Sequence, residues 1–311
     1  MIEKMATKDD EGKRFDAVAR AAFPHLHLSE IFKSIRIGRL KLNGKKSKGN
    51  MRIFAGDVLQ YHGCYKEIKN IQDNMYQEEL SHAHIPVIWE NEDLLALNKL
   101  RGWKVHGGLD SIQAWVCQRE GQNMSLSFRA GPCHRLDRNT TGVIVFAKSA
   151  YGARQFAQRQ KENKLHKVYI GLLNEQLLQE RVWSSVLTYQ GRQSFEDEEG
   201  KHAVTYVKPL AHNAGKTVAL FQLGSGRTHQ IRAQAAHAGY PLVGDRKYGG
   251  GRGSYHLHAL LLEDHSKDSL FPALWADLPC EMKKMLSQFR LNIQDIQENS
   301  LYMKNYTDDS I

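Results

Sequence analysis

One acid flanked by arginines constrains this chain more than any other feature. Asp137 lies in His134-Arg135-Leu136-Asp137-Arg138-Asn139-Thr140-Thr141-Gly142, which runs straight into the apolar stretch Val143-Ile144-Val145-Phe146-Ala147. Five consecutive apolar residues predict a buried strand, so the polar segment must be a loop at its edge. Nearby positive charge favours the ionised carboxylate, and an ionised carboxylate at the end of a buried strand can act as a nucleophile or a base. The small, turn-forming residues after Asp137 let the backbone come close to a partner. Taken alone, the segment also fits a salt-bridged loop acid with no chemistry.

The rest of the chain narrows these readings. Its 311 residues suffice for one large and one small domain. Lys and Arg number 43 against 34 Asp and Glu, a net charge of +9, which suits a polyanionic partner. The basic excess is concentrated early: residues 1–63 hold 13 Lys or Arg against 7 Asp or Glu, and no acid occurs from Ile31 to Gly56. That window carries Lys33, Arg36, Arg39, Lys41, Lys45, Lys46, Lys48 and Arg52. Unopposed cations in a folded segment point to a phosphate-binding surface, although a solvated face has the same composition. None of Cys64, Cys117, Cys133 and Cys280 forms a C-x-x-C pair, so zinc and redox motifs are unsupported and a reducing compartment is expected. Met1 to Arg14 is charged and has no apolar core of a signal peptide, and no apolar run reaches membrane-spanning length. A cytoplasmic, membrane-free protein is expected.

The spacing of Phe15, Val18, Ala19 and Ala22 predicts a helix from Arg14 to Phe23, ended by Pro24. Ser29 is placed to cap a second helix to Ile37, with Ile31, Phe32 and Ile35 inward and Gly38 closing it. Leu40–Leu42 reads as a strand, Asn43-Gly44 as a tight turn, and Val58 to Tyr61 as a closing strand after Gly56-Asp57. Residues 64–86 read as a polar linker. Beyond it, strands are expected at Val87–Trp89, Leu94–Asn98, Val143–Ala147, Lys167–Leu173, Ala203–Pro209, Thr217–Leu223 and His256–Leu262. Helices are expected at Ala150–Asn163, Thr228–Ala238 and Cys280–Leu291, the last with Met282, Met285, Leu286 and Phe289 on one face. Strands irregularly interrupted by helices imply an α+β domain with a mixed, largely antiparallel sheet. The expected layout is a small domain at 12–63, a linker at 64–86, a large domain at 87–292 and a loose polar tail at 293–311.

Three further segments carry candidate chemistry. Lys167-Val168-Tyr169 offers an aromatic face and a hydroxyl, which suit an unstacked base, although a strand tyrosine is commonly core. Ser225-Gly226-Arg227-Thr228-His229-Gln230-Ile231-Arg232 puts a turn, a cap candidate in Thr228 and two arginines at a helix start, a cationic site. It is followed by Gly244-Asp245 and Tyr248-Gly249. Trp89 to Lys99 reads as strand–turn–strand, and Lys99 reads as a surface lysine. The pairs His25/His27, His82/His84 and His256/His258 have no third ligand of metal-site type nearby, so no metal is expected.

These segments, in this order, resemble the RluA-type pseudouridine synthases. The match runs through the Asp137 segment, Lys167-Val168-Tyr169, Ser225 to Arg232 (serine where the family has threonine), and His256-Leu257-His258-Ala259. Leu100 and Gly107 stand where the family has prolines, a change that removes no reactive group. Arg14 and Asp16, Ser29, Ile37-Gly38-Arg39, Leu42-Asn43-Gly44 and Gly56-Asp57 resemble an S4 RNA-binding domain. The resemblance implies an S4-like domain followed by a pseudouridine synthase domain, acting without cofactor as a monomer on structured RNA.

Asp137 would then be the essential carboxylate, either a nucleophile at C1′, a base at C2′ or a group adding to C6. Tyr169 would lie against the uracil, Arg227 would pair with Asp137, and Ile231 would line the uracil pocket. Arg135, Arg138, His229 and Arg232 would bind substrate, while Lys33, Arg36, Arg39, Lys41, Lys45 and Lys46 would hold the RNA. An S4-like domain with this catalytic domain looks like the bacterial large-subunit rRNA synthases. A tRNA enzyme of the same family and a non-catalytic RNA-binding or ribosome-assembly factor are the alternatives. A carboxylate-dependent glycosidase would want a second positioned acid, which the motifs do not offer.

Overall fold

The structure is a computed structural model and describes residues 1–24, 26–63, 84–121, 125–191, 193–197 and 199–303. Most of the expected linker, together with His25 and His82, lies outside the described residues.

The N-terminal part forms its own core. Helices α1 (Phe15–Ala22) and α2 (Leu28–Ile37) pack on a sheet of β1 (Ile2–Met5), β2 (Leu40–Leu42) and β3 (Val58–Tyr61), ordered β1-β3-β2. Phe15, Val18, Ala19, Phe23, Ile31, Ile35, Leu40, Leu59 and Tyr61 fill the interior. Asn43 and Gly44 both adopt positive φ, 52° and 74°, as the tight turn requires. Gly38 ends α2 in the left-handed region at φ 77°.

Three expectations are corrected here. Phe32 is 49% exposed, because α2 buries only the Ile31–Ile35 stripe. His27, not Ser29, occupies the cap position of α2, two residues earlier, and makes no side-chain cap bond. Residues 2–5 form a strand that the expected boundary at residue 12 leaves out.

The large part is built on an eleven-stranded sheet. Its strands are β4 (Val87–Glu90), β5 (Leu94–Lys99), β6 (Gly131–Pro132), β7 (Thr141–Ala147), β8 (Leu165–Asn174), β9 (Arg181–Gln190), β10 (Gln193–Glu196), β11 (Lys201–Asn213), β12 (Lys216–Leu223), β13 (Leu257–Asp264) and β14 (Leu274–Trp275). The order is β10-β9-β11-β12-β8-β13-β7-β5-β4, with β6 on β7 and β14 on β13. Among the described residues the pairing is antiparallel except for β13 with β7. The α+β class with a mixed, largely antiparallel sheet is therefore as expected.

Helices α3 (Ile112–Glu120), α4 (Ala150–Lys161), α5 (Gln230–His237), α6 (Cys280–Gln288) and α7 (Ile293–Tyr302) cover this sheet. Strand alternation decides which side chain meets which cover. On β8, Val168, Ile170 and Leu172 face a core with Met282, Met285, Leu286 and Phe289 of the α6 region and Ile296 of α7. Tyr169 and Leu173 face the opposite core, with Ile231 and Ala235 of α5. Residues 293–302 are thus a packed helix rather than the start of a loose tail. Asn292 and Asp295 form its capping box, and Ser300 and Met303 are buried.

One glycine fixes the centre of the sheet. Gly142 has φ 109°, and a Cβ there would fall 2.1 Å from the Ala259 carbonyl oxygen. Only glycine lets β7 approach β13 this closely, directly after the Asp137 loop.

The two parts are joined through a pair of acids. Asp10 accepts hydrogen bonds from Ser125 Oγ, Leu126 N and Ser127 N at 2.7, 3.1 and 2.9 Å, and also from Ser127 Oγ. Asp9 accepts from the Ala150 amide at the start of α4 at 2.8 Å, where a negative charge suits the helix dipole. Lys13 donates to Ser127 Oγ at 2.8 Å. No helix among the described residues is long and apolar enough to cross a membrane.

Candidate active site

Three neighbouring strands converge on the site. Ala259 of β13 is in register with Gly142 of β7 on one side and Tyr169 of β8 on the other. The loop entering β7 carries Asp137 to the end of this trio. Beneath it lies Lys99, the last residue of β5, whose ammonium donates to the carbonyls of Arg138, Thr140 and Leu100 at 2.8, 2.7 and 3.2 Å. Lys99 is 0% exposed, so the reading of a surface lysine is corrected: it braces the Asp137 loop by its backbone. Burial pushes its pKa down to about 7, against the pull of Asp137.

Asp137 is held by Arg232. The Arg232 Nη1 donates to Asp137 Oδ2 at 2.7 Å, while its Nε and Nη2 grip Asp245 at 2.7 and 2.9 Å. Tyr248 and Tyr255 lie on the guanidinium, with ring centroids 5.0 and 4.4 Å from Cζ. Burial opposes the Arg232 charge, but the Asp245 and Asp137 carboxylates outweigh it and raise the pKa.

The arginine expected on Asp137 was Arg227, and this is corrected. Arg227 precedes α5, is exposed, and donates from Nε to the His202 carbonyl at 3.2 Å. Arg232 lies in the first turn of α5, which turns it inward onto Asp137. Thr228 is likewise not the cap: His229 holds that position at φ 54°, and the Thr228 carbonyl accepts from Ser194 Oγ at 2.5 Å.

His229 Nε2 lies 3.6 Å from Asp137 Oδ1. Its Nδ1 is 2.9 Å from the Tyr248 hydroxyl, which itself accepts from the Ser194 amide. With its oxygen engaged by Ser194, the hydroxyl proton is directed at Nδ1, leaving the ring proton on Nε2 towards Asp137. Burial holds the imidazole well below its usual pKa, against the pull of Asp137, so it is neutral.

An open cavity of about 700 Å³ lies over Asp137. Asp137 is the one acid among the described residues lining it, against Lys104, Arg135, Arg138, Lys167, Arg227 and Arg232. Arg135 and Arg138 are exposed at its rim. Tyr169 is 8% exposed, and its hydroxyl has no hydrogen-bond partner among the described residues. Burial, reinforced by Asp137, raises its pKa. A smaller recess of about 60 Å³ adjoins Asp137 and Tyr169, with Leu136, Leu223, Ile231 and Leu257 on its wall beside polar groups that include Thr140, His229 and Arg232. The structure thus gathers Asp137, Tyr169, Ile231, His229 and Arg232, with Arg135, Arg138 and Arg227 at the mouth.

The expected RNA-binding cations stand apart from this cavity, on α2 and the β2–β3 region. Lys33, Arg36, Arg39, Lys45 and Lys46 are exposed and Lys41 is half-buried. Among the described residues, no three or more His, Cys, Asp or Glu side chains are grouped so as to hold a metal ion. His258 is a core residue bonded to Thr141 Oγ1 at 2.8 Å and within 3.2 Å of the Ala276 carbonyl.

The family model for RNA pseudouridylate synthase matches residues 93–237, which span the Asp137 loop, Tyr169 and α5. The chain is 27% identical over 245 residues to the ribosomal large subunit pseudouridine synthase D of Xylella fastidiosa, covering 77% of this chain and 72% of that one. It is 29% identical over 252 residues to the synthase C of Buchnera aphidicola subsp. Schizaphis graminum, covering 78% and 79%. It is 27% identical over 264 residues to the synthase C of Escherichia coli K12, covering 78% of each. In fold, it superimposes on human RNA pseudouridylate synthase domain containing 4 with a TM-score of 0.58 at 21% identity, over 71% of this chain and 98% of that one. In its matched segment, its fold and its relatives, the chain is similar to RNA pseudouridylate synthases.

Proposed function

We propose that this chain isomerises one or more uridines of large-subunit ribosomal RNA to pseudouridine, with Asp137 as the reacting carboxylate. The observation that carries this reading is the spare hydrogen-bonding capacity of Asp137: Arg232 holds Oδ2 as its one close donor, and Asp137 is the one acid among the described residues lining a cavity that also carries six Lys and Arg. The relatives named above as large-subunit rRNA synthases support the substrate class.

The target uridine must leave its stack to reach Asp137, and the cationic rim favours the displaced backbone. In the reaction the N1–C1′ bond breaks, the base turns, and a C5–C1′ bond forms. The C5 proton leaves and N1 gains one, so no net redox change occurs. Arg232 orients Asp137 and stabilises its charge. The recess beside Ile231 holds the uracil, and the free Tyr169 hydroxyl stands where a proton can be taken up or passed on. Arg227, exposed at the mouth, binds the RNA backbone rather than the carboxylate. The N-terminal unit acts as the S4-like RNA-binding domain through Lys33, Arg36, Arg39, Lys41, Lys45 and Lys46. We place the enzyme in the cytoplasm, acting as a monomer.

Pseudouridine mapping on unmodified large-subunit rRNA and bulk tRNA after treatment with the protein tests this reading. New pseudouridine in the rRNA is expected. A signal in tRNA alone would overturn the substrate, and no signal in either, with RNA still bound, would overturn the activity.

A further inference from the structure

Among the described residues, one partly buried cation at the cavity has no acid partner. Lys167 precedes Tyr169 by two residues on β8, so both side chains leave the same face of the sheet and line the same cavity. The Lys167 ammonium has a single hydrogen-bond partner, the side-chain oxygen of exposed Gln160 at 3.3 Å. No ion pair joins it to an acid among the described residues. The other cations differ. Arg232 is shared by two carboxylates, Lys104 is 2.7 Å from Asp110, and Arg135, Arg138 and Arg227 reach solvent. Burial alone pushes the Lys167 amine down to about 8. Burial first and the Lys167 charge second hold the neighbouring His134 neutral, at about 3.

The opposite wall leaves room at the amine. A Cβ added at Gly226 would lie 4.0 Å from Lys167 Nζ. Gly226 is not among the glycines with positive φ, so the backbone does not demand glycine there. What its missing side chain provides is open space beside a partly buried ammonium.

We propose that Lys167 is a positioning residue that receives a backbone phosphate flanking the target uridine as the nucleotide enters the Asp137 cavity. The inference rests on the uridine-isomerising reading above. RNA brings one formal anion per nucleotide, and a phosphate compensates a desolvated ammonium where a uracil carbonyl leaves it uncompensated. Fixing that phosphate sets the sugar over Asp137 while the base turns.

The test compares wild type, Lys167→Met and Lys167→Arg on an unmodified transcript of large-subunit rRNA. It reads kcat, KM, the salt dependence of binding and the melting temperature of the free protein. One lost phosphate contact is expected to make the slope of log K against log salt shallower by about 0.7–0.9, and to raise KM about tenfold, in Lys167→Met. Turnover at saturating RNA should change less than about threefold, and Lys167→Arg should keep the wild-type slope. Methionine removes an uncompensated charge at similar bulk, so the free protein should melt no lower than wild type.

An unchanged salt slope overturns the proposal even if KM rises, because the contact is then to the base. A fall in kcat alone places Lys167 in the chemistry, and a lowered melting temperature makes it structural; each also overturns it. The slope is read from binding, so it decides the role of Lys167 whether or not the transcript is isomerised. Absence of pseudouridine with wild type counts against the uridine reading alone.

Discussion

Two aspartates in this molecule are bound in opposite ways. Asp10, 0% exposed, accepts from the amide and hydroxyl of Thr7, the hydroxyl of Ser125, the amide of Leu126, and the amide and hydroxyl of Ser127. Asp137, with a side chain 20% exposed, accepts one close bond, from Arg232, has His229 Nε2 3.6 Å from its other oxygen, and lines a cavity. A carboxylate has about four lone-pair sites, so Asp10 is saturated and Asp137 is not. Saturation makes a joint between two parts of a fold. Spare capacity beside open space makes a site, because the missing partner can be a substrate.

The contrast breaks most sharply at Asp137. Asp137→Asn keeps the shape and removes the charge, and turnover is expected to fall by about 10⁴-fold or more, the scale of losing a reacting group. Its melting temperature should stay within a few degrees of wild type, checked by thermal unfolding beside a single-turnover assay. Arg232→Gln comes next, since it strips the partner from Asp245, which is 1% exposed, as well as from Asp137. It should lower turnover about 10²–10³-fold and cost about 3–5 kcal/mol of stability by leaving a buried charge unpaired.

Asp10→Ala should show the reverse profile. Losing the acceptor for buried amides is expected to cost about 1–3 kcal/mol in denaturant unfolding, with turnover at saturating RNA nearly unchanged. Burial opposes the Asp10 charge, but its bonds from Ser127, Ser125, Thr7 and Leu126 outweigh this and hold its pKa below the ordinary aspartate value. A pKa depressed on folding contributes stability above the unfolded value and loses it as pH falls through the folded one. The stability gap between wild type and Asp10→Ala should therefore be constant near neutrality and close below about pH 4. Tyr169→Phe gives the smallest structural effect, because the hydroxyl it removes has no partner among the described residues. A rate loss of about 10²-fold with unchanged melting would assign that hydroxyl to proton transfer; an unchanged rate would leave the ring as a support for the base.

The strands with apolar alternation, the Asp137 loop and the motif leading into α5 were legible because their signals are local. What escaped was set by the fold. Arg227 and Arg232 share one motif, and only the start of α5 at Gln230 decides which of them turns inward. Lys99 and Lys167 are single lysines on apolar strands, and nothing nearby in sequence says that one meets three backbone carbonyls and the other none. Strand β9 buries Trp183 and Leu187 four residues apart, which hides its alternation, and it sits beside the edge strand β10. Helix α3 was overlooked although Ser111 caps it and Ile112 and Val116 are buried one turn apart. Helix α7 carried a visible capping box, Asn292 with Asp295, inside a stretch too polar to suggest packing.

The most direct test is single-turnover pseudouridine formation on unmodified large-subunit rRNA by wild type, Asp137→Asn and Asp10→Asn. The expected result is a product from wild type and Asp10→Asn, and none from Asp137→Asn although it still binds the RNA. Pseudouridine formed by Asp137→Asn at a rate near wild type would contradict the account.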